Sequence, residues 1–495
     1  MSIVRMFCAR APLRHLMACA AVVMWSAMVL PECGLRSADF VKISENGFDA
    51  EDNETDLNDY AWSMLWFQPD GAKEGHLYVG TGNNIFGIAN YITETNQNGE
   101  EPTELPSRPP EIRRYTPGSS NDWEKVFDYK DVGDDGLQTY GFRRMIAYRA
   151  VDSDNKGGRS NYLYAATQGI GASIWRSKTG DAGDWEQVHS TGPNHASIRA
   201  MAVHDGKLYL GYAYDIVNVD IPPAEIWVSD NGVDFEPVMQ DGFGNENNRG
   251  IETLFSFNDW LFAGTKNDKQ GYEVWKLQGP DKGAGAVKVV EHGGPDSRNE
   301  AAGTSVVFNG KLYIGSLIYY GFNRREGYGF KGCDIIRIDE NDEWETVVGK
   351  NSISGYDSGF NFFTNAYCWQ FKEHDGWLYT STFDDATAVA ELLYQLPAAI
   401  EYLQGQQKRI TDDPPTLLTR EAWLRMTKAG GDIFKTQDGV HWLPVTQDGL
   451  GNRDNYGWRT MESAPDGTFY LGSANPYDGL EIWKAEPKAE EVEQQ

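Results

Sequence analysis

Three arginines recur in nearly the same short setting: Arg143 in Phe142-Arg143-Arg144-Met145, Arg199 in Ile198-Arg199-Ala200-Met201 and Arg459 in Trp458-Arg459-Thr460-Met461. A fourth copy, Ile251-Glu252-Thr253-Leu254, puts a carboxylate at the same place. A guanidinium presents a planar fork of N–H donors that matches carboxylate, sulfate or phosphate oxygens two at a time. Arginines gathered from several copies would hold an anionic ligand. An arginine set against Glu252 would instead make an internal ion pair, the usual state of a buried arginine. A second polar set follows another recurring segment: Asn83, Tyr214, Asn267, Asp384 and Asn475, with Asp215, Asp268 and Asp385 next in line. Such oxygens at one mouth suit sugar hydroxyls, or Ca²⁺ with its roughly six to eight oxygen ligands. Asn and Asp at loop entries also cap turns.

His195, in Pro193-Asn194-His195-Ala196, stands just before the Arg199 copy. With Tyr319, Tyr320 or Tyr367 it is the candidate acid or base near neutral pH. An arginine that neutralises a uronate, with a His or Tyr base beside it, is what β-elimination by a polysaccharide lyase requires. Glycoside hydrolysis needs two carboxylates about 5 to 9.5 Å apart, and Glu252 and Asp268 are the candidates. Neither Cys333 nor Cys368 has a histidine at metal-ligand spacing, and no glycine loop of the phosphate-cradling kind is present. No cofactor is therefore expected, Ca²⁺ being the one cation the second polar set would suit.

These positions share a register because the chain repeats. One strand recurs as Leu77-Tyr78-Val79-Gly80, Leu163-Tyr164-Ala165-Ala166, Leu208-Tyr209-Leu210-Gly211, Leu261-Phe262-Ala263-Gly264, Leu312-Tyr313-Ile314-Gly315, Leu378-Tyr379-Thr380-Ser381 and Phe469-Tyr470-Leu471-Gly472. Short turns such as Asp205-Gly206-Lys207 and Asn309-Gly310-Lys311 join it to an apolar strand in front. A third and a fourth strand follow, the fourth usually opening on an aromatic such as Trp123, Trp185, Phe235, Trp344 or Trp442. Four antiparallel strands per unit, repeated, is the composition of a β-propeller blade. The reading is an all-β chain: a seven-bladed β-propeller of four-stranded antiparallel blades. The last unit lacks a fourth strand, and Phe40-Val41-Lys42-Ile43-Ser44 has the aromatic-first pattern to supply it. That N-terminal strand is expected to close the ring and remove an open edge. Insertions are expected at 91–110 and at 386–429, the latter carrying two helices at 386–403 and 420–428.

The third and fourth strands form hairpins such as Ser229-Asp230-Asn231-Gly232-Val233-Asp234-Phe235 and Thr436-Gln437-Asp438-Gly439-Val440-His441-Trp442. Asn231-Gly232 is expected to supply both positive-φ positions of a tight turn. These segments resemble the Asp-box, or bacterial neuraminidase, repeat, Ser-x-Asp-x-Gly-x-x-Trp, with one residue missing. The resemblance implies a propeller scaffold in which the boxes stabilise turns away from the functional face. It implies no activity, since function belongs to a site and not to a fold. Sialidases of that kind are six-bladed, and their Phe-Arg-Ile-Pro motif is only faintly echoed by Phe142-Arg143-Arg144-Met145.

A net charge of −29 over 495 residues repels phosphate backbones, so nucleic acid is not expected as a partner. Arg5, Arg10 and Arg14 precede an uncharged apolar run at 16–30, which is shorter than the roughly 20 residues of a spanning helix. Residues 1–38 read as a secretory signal peptide, 39–487 as the propeller and 488–495 as a disordered charged tail. The mature chain is expected to be secreted or periplasmic, monomeric and without a transmembrane segment. Cys333 and Cys368 would be its cysteines, and sequence alone does not say whether they pair. The function expected is binding of an anionic carbohydrate at the channel mouth. The alternatives are a polysaccharide lyase acting on a uronic-acid glycan and a scaffold for protein partners.

Overall fold

The computed structural model describes residues 34–48, 58–83, 109–118, 123–129, 139–152, 157–169, 171–191, 197–213, 222–278, 285–319, 331–403 and 418–487, with the backbone alone for 395–403. The leader, most of the 91–110 insertion, His195, Tyr214, Asp215, Tyr320 and the tail at 488–495 lie outside them. Contacts divide the chain after Leu35, and every described strand belongs to the unit from Arg36 onward.

The strands all pair antiparallel, in consecutive groups of four. After β1 (Val41–Lys42), the first group is β2 (Asn58–Phe67), β3 (His76–Asn83), β4 (Glu111–Tyr115) and β5 (Trp123–Asp128). The second is β6 (Thr139–Val151), β7 (Arg159–Gly169), β8 (Ser173–Ser177) and β9 (Trp185–Ser190). The third is β10 (Ser197–His204), β11 (Lys207–Ala213), β12 (Glu225–Ser229) and β13 (Glu236–Met239). The fourth is β14 (Gly250–Phe257), β15 (Trp260–Lys266), β16 (Val274–Leu277) and β17 (Val287–Val290). The fifth is β18 (Ala301–Phe308), β19 (Lys311–Leu317), β20 (Ile335–Ile338) and β21 (Trp344–Val348). The sixth is β22 (Asn365–His374), β23 (Trp377–Asp384), β24 (Ile433–Thr436) and β25 (Leu443–Thr446). The last runs β26 (Gly457–Ser463), β27 (Phe469–Ala474) and β28 (Ile482–Ala485), and β1 completes it through Val41↔Lys484 and Lys42↔Trp483. Ser44 adds a side-chain bond, its Oγ accepting from Ile482 N at 2.9 Å.

Second strands are laddered to the next group at one residue pair each, for example Gly82↔Gly141, Leu317↔Tyr367 and, between first and last, Tyr60↔Ala474. The first strands adjoin one another in a closed circuit, β2 beside β6 and on round to β26 beside β2. They are the innermost layer of a closed all-β sheet consistent with a propeller. The core lies between successive groups, in clusters such as Tyr164, Ile174, Ile198 and Leu208.

Local chemistry explains the hairpins. Between first and second strands, Asp205 (φ 47°) with Gly206 (φ 72°) and Asn309 (φ 49°) with Gly310 (φ 72°) form left-handed pairs that match strand twist. The Asn231-Gly232 turn differs from expectation, because only Gly232 is left-handed, at φ 80°. Asn231 works through its side chain instead: Oδ1 accepts from Val233 N at 2.8 Å and Asp234 N at 2.9 Å. Asp438 does the same for Val440 N and His441 N, both at 2.8 Å. The box glycine is also a docking point. Tyr164, of the recurring Leu-Tyr strand, donates to Gly232 O at 3.0 Å in the next group, and Tyr313 donates to Gly439 O at 3.3 Å. Each tyrosine takes an arginine bond in turn, from Arg176 (3.3 Å) and Arg337 (3.2 Å), and those arginines pair with Glu186 and Glu345.

The long insertion is helical, α1 (Ala386–Leu403) and α2 (Arg420–Met426). Arg420 ties both helices to the ring through Glu391 at 2.6 Å and Asp454 at 2.5 Å.

Candidate functional site

Every first strand skips a residue at one shared step of its pairing with the second: Trp62, Arg143, Arg199, Glu252, Gly303, Trp369 and Arg459; β2, β6 and β22 skip a further residue nearer their start, Asp59, Tyr140 and Ala366. A β-bulge frees one residue from the ladder and re-aims its side chain, commonly beside a functional site. Here the bulge falls at the same step of each innermost strand, so the skipped residues form one ring. Arg143, Arg199, Arg459 and Glu252 are brought together as their shared register suggested.

The ring's contacts run from one strand to the next. Arg199 Nη1 donates to Glu252 Oε2 at 2.8 Å, with both side chains more than nine-tenths buried. Arg199 also donates to the Tyr319 hydroxyl, which arrives from the end of β19. The Tyr319 ring lies under Lys266 Nζ, 4.0 Å from its centroid. Arg143 lies over Trp62 at 4.7 Å and Arg459 over Trp369 at 5.5 Å, cation–π contacts worth roughly 0.5–2 kcal/mol each. Gly303 contributes no side chain. A Cβ there would come within 2.1 Å of Leu317 Cγ, so Leu317 fills that sector.

Arg459 is the site's electrostatic anomaly. Its side chain is 6 % exposed, its Nε has no hydrogen-bond partner among the described residues, and no described carboxylate lies within ion-pair distance. Burial, and then repulsion from Arg143, Arg144 and Arg199, push its pKa well below the ordinary arginine value. Arginine stays protonated in proteins, so the strain is felt as demand for a counter-anion. Arg144, whose Nε donates to Arg199 O at 2.9 Å, is pushed down chiefly by burial, with Arg199 adding to it. Glu252 Oε1 and Trp62 Nε1 are also buried without hydrogen-bond partners among the described residues.

Aromatics wall the ring. Tyr60 meets Trp62 at 6.0 Å, Trp369 at 5.9 Å and Tyr456 at 5.9 Å. Tyr367 stacks on Phe383 at 4.7 Å and stands 5.7 Å from Tyr319. Tyr319 thus touches the arginine cluster, and Tyr367 stands beside Tyr319 and Trp369. Trp62, Trp369, Arg144 and Tyr60 escape the sequence reading, although Trp62 and Trp369 hold the same place in Ala61-Trp62-Ser63-Met64 and Cys368-Trp369-Gln370-Phe371 as Arg143 does in its copy.

The second polar set is spent on backbone. Asn267 Oδ1 accepts from Lys269 N (3.1 Å) and Gln270 N (2.8 Å), and its amide donates to Asn248 Oδ1 at 2.9 Å. Asn475 repeats this with Tyr477 N, Asp478 N and Asn455 Oδ1. Asn83 donates to Pro109 O at 3.0 Å. Asp384 caps α1, accepting from Ala386 N at 2.9 Å, and burial holds its carboxyl well above the usual range. Asp268 is half-exposed and pairs with Lys269, whereas Glu252 is buried and pairs with Arg199. These residues hold turns, and no group of three or more His, Cys, Asp or Glu among the described residues is placed to bind a metal ion. Five related clamps fix the strand entries: Asn58–Glu111, Asn248–Glu273, Asn299–Asp334, Asn365–Asp432 and Asn455–Glu481, at 2.6–2.8 Å. No described helix is long and apolar enough to cross a membrane.

No family model and no curated protein matches the chain. Among solved structures, it is similar to GH43B of the Bacteroides ovatus xyloglucan utilisation locus, at 12 % identity and TM-score 0.27 over 48 % of each chain, and so spans about half of that protein. It is similar to the Neurospora crassa Pan2 WD40 domain, at 8 % identity and TM-score 0.43 over 91 % of this chain and 96 % of that one. It is also similar to a mutant of the α-L-arabinofuranosidase Arb93a from Fusarium graminearum with an iminosugar inhibitor, at 10 % identity and TM-score 0.38, over 70 % and 93 %. Likenesses this distant carry no inference about activity.

Proposed function

We propose that the chain is an exported seven-bladed β-propeller of four-stranded blades that binds an anionic carbohydrate against Arg143, Arg199 and Arg459 in its central channel. The observation that carries the reading is Arg459: a buried guanidinium between two tryptophan-bearing strands, facing other arginines, with no described carboxylate in reach. An acidic sugar answers both features, since its carboxylate or sulfate meets the guanidinium fork and its C–H face meets an indole. Titration calorimetry with polygalacturonate, alginate and a neutral glucan tests it. Binding to an acidic glycan that falls at least tenfold in Arg459→Ala supports the proposal; equal binding by the variant overturns it.

The lyase reading is favoured by one contact, the Tyr319 hydroxyl on Arg199. In that reading an arginine neutralises the uronate carboxylate, Tyr319, ionised to phenolate beside Arg199, takes the proton from the adjacent carbon, and the C–O bond one carbon further breaks to leave a double bond. The departing oxygen is protonated from water. Ultraviolet absorbance of unsaturated uronate ends, lost in Tyr319→Phe with binding kept, is the expected signal. No absorbance on any acidic glycan leaves binding as the function.

A further inference from the structure

Two cysteines lie among the described residues, Cys333 and Cys368, and both are fully enclosed. Their Sγ atoms are 2.9 Å apart. They belong to different strand groups: Cys333 leads into β20 of the fifth, and Cys368 lies on β22 of the sixth. The sixth group and the segment leading into it grip Cys333 through its backbone, because Cys333 N donates to Asn365 O at 2.8 Å and Cys333 O accepts from Gly359 N at 2.7 Å. The fifth group makes room for Cys368 in return. Gly315 on β19 has no side chain, and a Cβ there would sit 2.6 Å from Cys368 Cβ. Burial, and then the neighbouring thiol, raise the Cys368 pKa well above the ordinary value. A thiol in that state is a poor nucleophile and a poor metal ligand, so neither role accounts for the pair.

We propose that Cys333 and Cys368 form a disulfide that staples the fifth strand group to the sixth, directly behind Trp369 of the channel ring. The sulfurs need approach by less than about 1 Å to reach bonding distance. The two thiols give up two protons and two electrons. The acceptor is a disulfide oxidant, oxidised glutathione or an oxidoreductase in its disulfide form, whose own S–S bond is reduced to two thiols. Exchange passes through a mixed disulfide while the chain is folding and both sulfurs are still accessible. The bond would reinforce a junction otherwise made, strand to strand, by the single pair Leu317↔Tyr367. It would also hold the strand that seats Trp369 beneath Arg459.

The full chain, folded in a glutathione redox buffer, is unfolded in the presence of an alkylating reagent without reductant and digested with trypsin. The expected product is peptide 332–337 linked to peptide 351–372, separated by dithiothreitol. Recovery of both peptides singly alkylated overturns the proposal, as does linkage of either to Cys8, Cys19 or Cys33. A second measurement uses the thermal midpoint, which dithiothreitol should lower by several degrees in the wild type and leave unchanged in Cys333→Ser/Cys368→Ser. An equal response of both proteins overturns it. If the serine variant does not fold, the peptide map decides alone.

Discussion

Arg199 and Glu252 occupy the same step of two successive innermost strands and bond to each other at 2.8 Å. Removing one partner of such a buried pair strands the other charge, at a cost of about 3–5 kcal/mol. Glu252→Ala should therefore destabilise far more than the exposed pair Lys269–Asp268 broken by Asp268→Ala. Denaturant midpoints of both variants check this; similar values would show that Arg199 is held by something else.

Gly303 is the ring position without a side chain, and Leu317 occupies its space. Gly303→Ala should destabilise by about 1–3 kcal/mol through overpacking, and Leu317→Ala in the same chain should recover part of the loss. The double mutant's thermal midpoint, read against each single one, checks the coupling.

Tyr164 and Gly232 lock one strand group to the next. Gly232→Ala would strain a backbone at φ 80° and bring a methyl within 2.2 Å of the Tyr164 hydroxyl. A loss of about 1–3 kcal/mol is expected; Tyr164→Phe, which deletes the bond to Gly232 and the one from Arg176 without straining the backbone, should cost about 1–2 kcal/mol. Glycan affinity should be unchanged in both.

Asp432 is buried at a strand entry, and that burial raises its carboxyl pKa to about 7 although Asn365 and Gln447 bond to it. The folded chain thus keeps this proton until about pH 7, while the unfolded chain releases it near pH 3.9. Stability from this group is full below about pH 4 and declines towards pH 7, at up to roughly 1.4 kcal/mol per pH unit. Asp432→Asn keeps an oxygen for Asn365 and should flatten that decline. Thermal midpoints from pH 5 to 8 measure it, and parallel curves for the two proteins would refute it.

The strand repeat and the register of Arg143, Arg199, Arg459 and Glu252 were legible because they depend on residue types at fixed intervals. The bulge that makes a ring of them was not, since one skipped residue leaves no mark on an apolar strand. Trp62 and Trp369 consequently carry no site signal in the sequence, although they sit at the arginines' step. The second polar set stayed open between a ligand site and turn capping for the opposite reason. Asn267 and Asn475 have the chemistry of a ligand site, and only their bonds to backbone N–H groups reveal turn capping. At Asn231 the turn was anticipated but its means was not, because a side chain replaced the second left-handed residue.

The strand β1 pairs with β28, so opposite ends of the described chain meet in one sheet. The first of the described strands to be synthesised therefore has no partner in this sheet until the last of them has emerged. A chain interrupted anywhere before residue 482 lacks that pairing and keeps an open edge, so the circuit of strands closes only after β28 has been made.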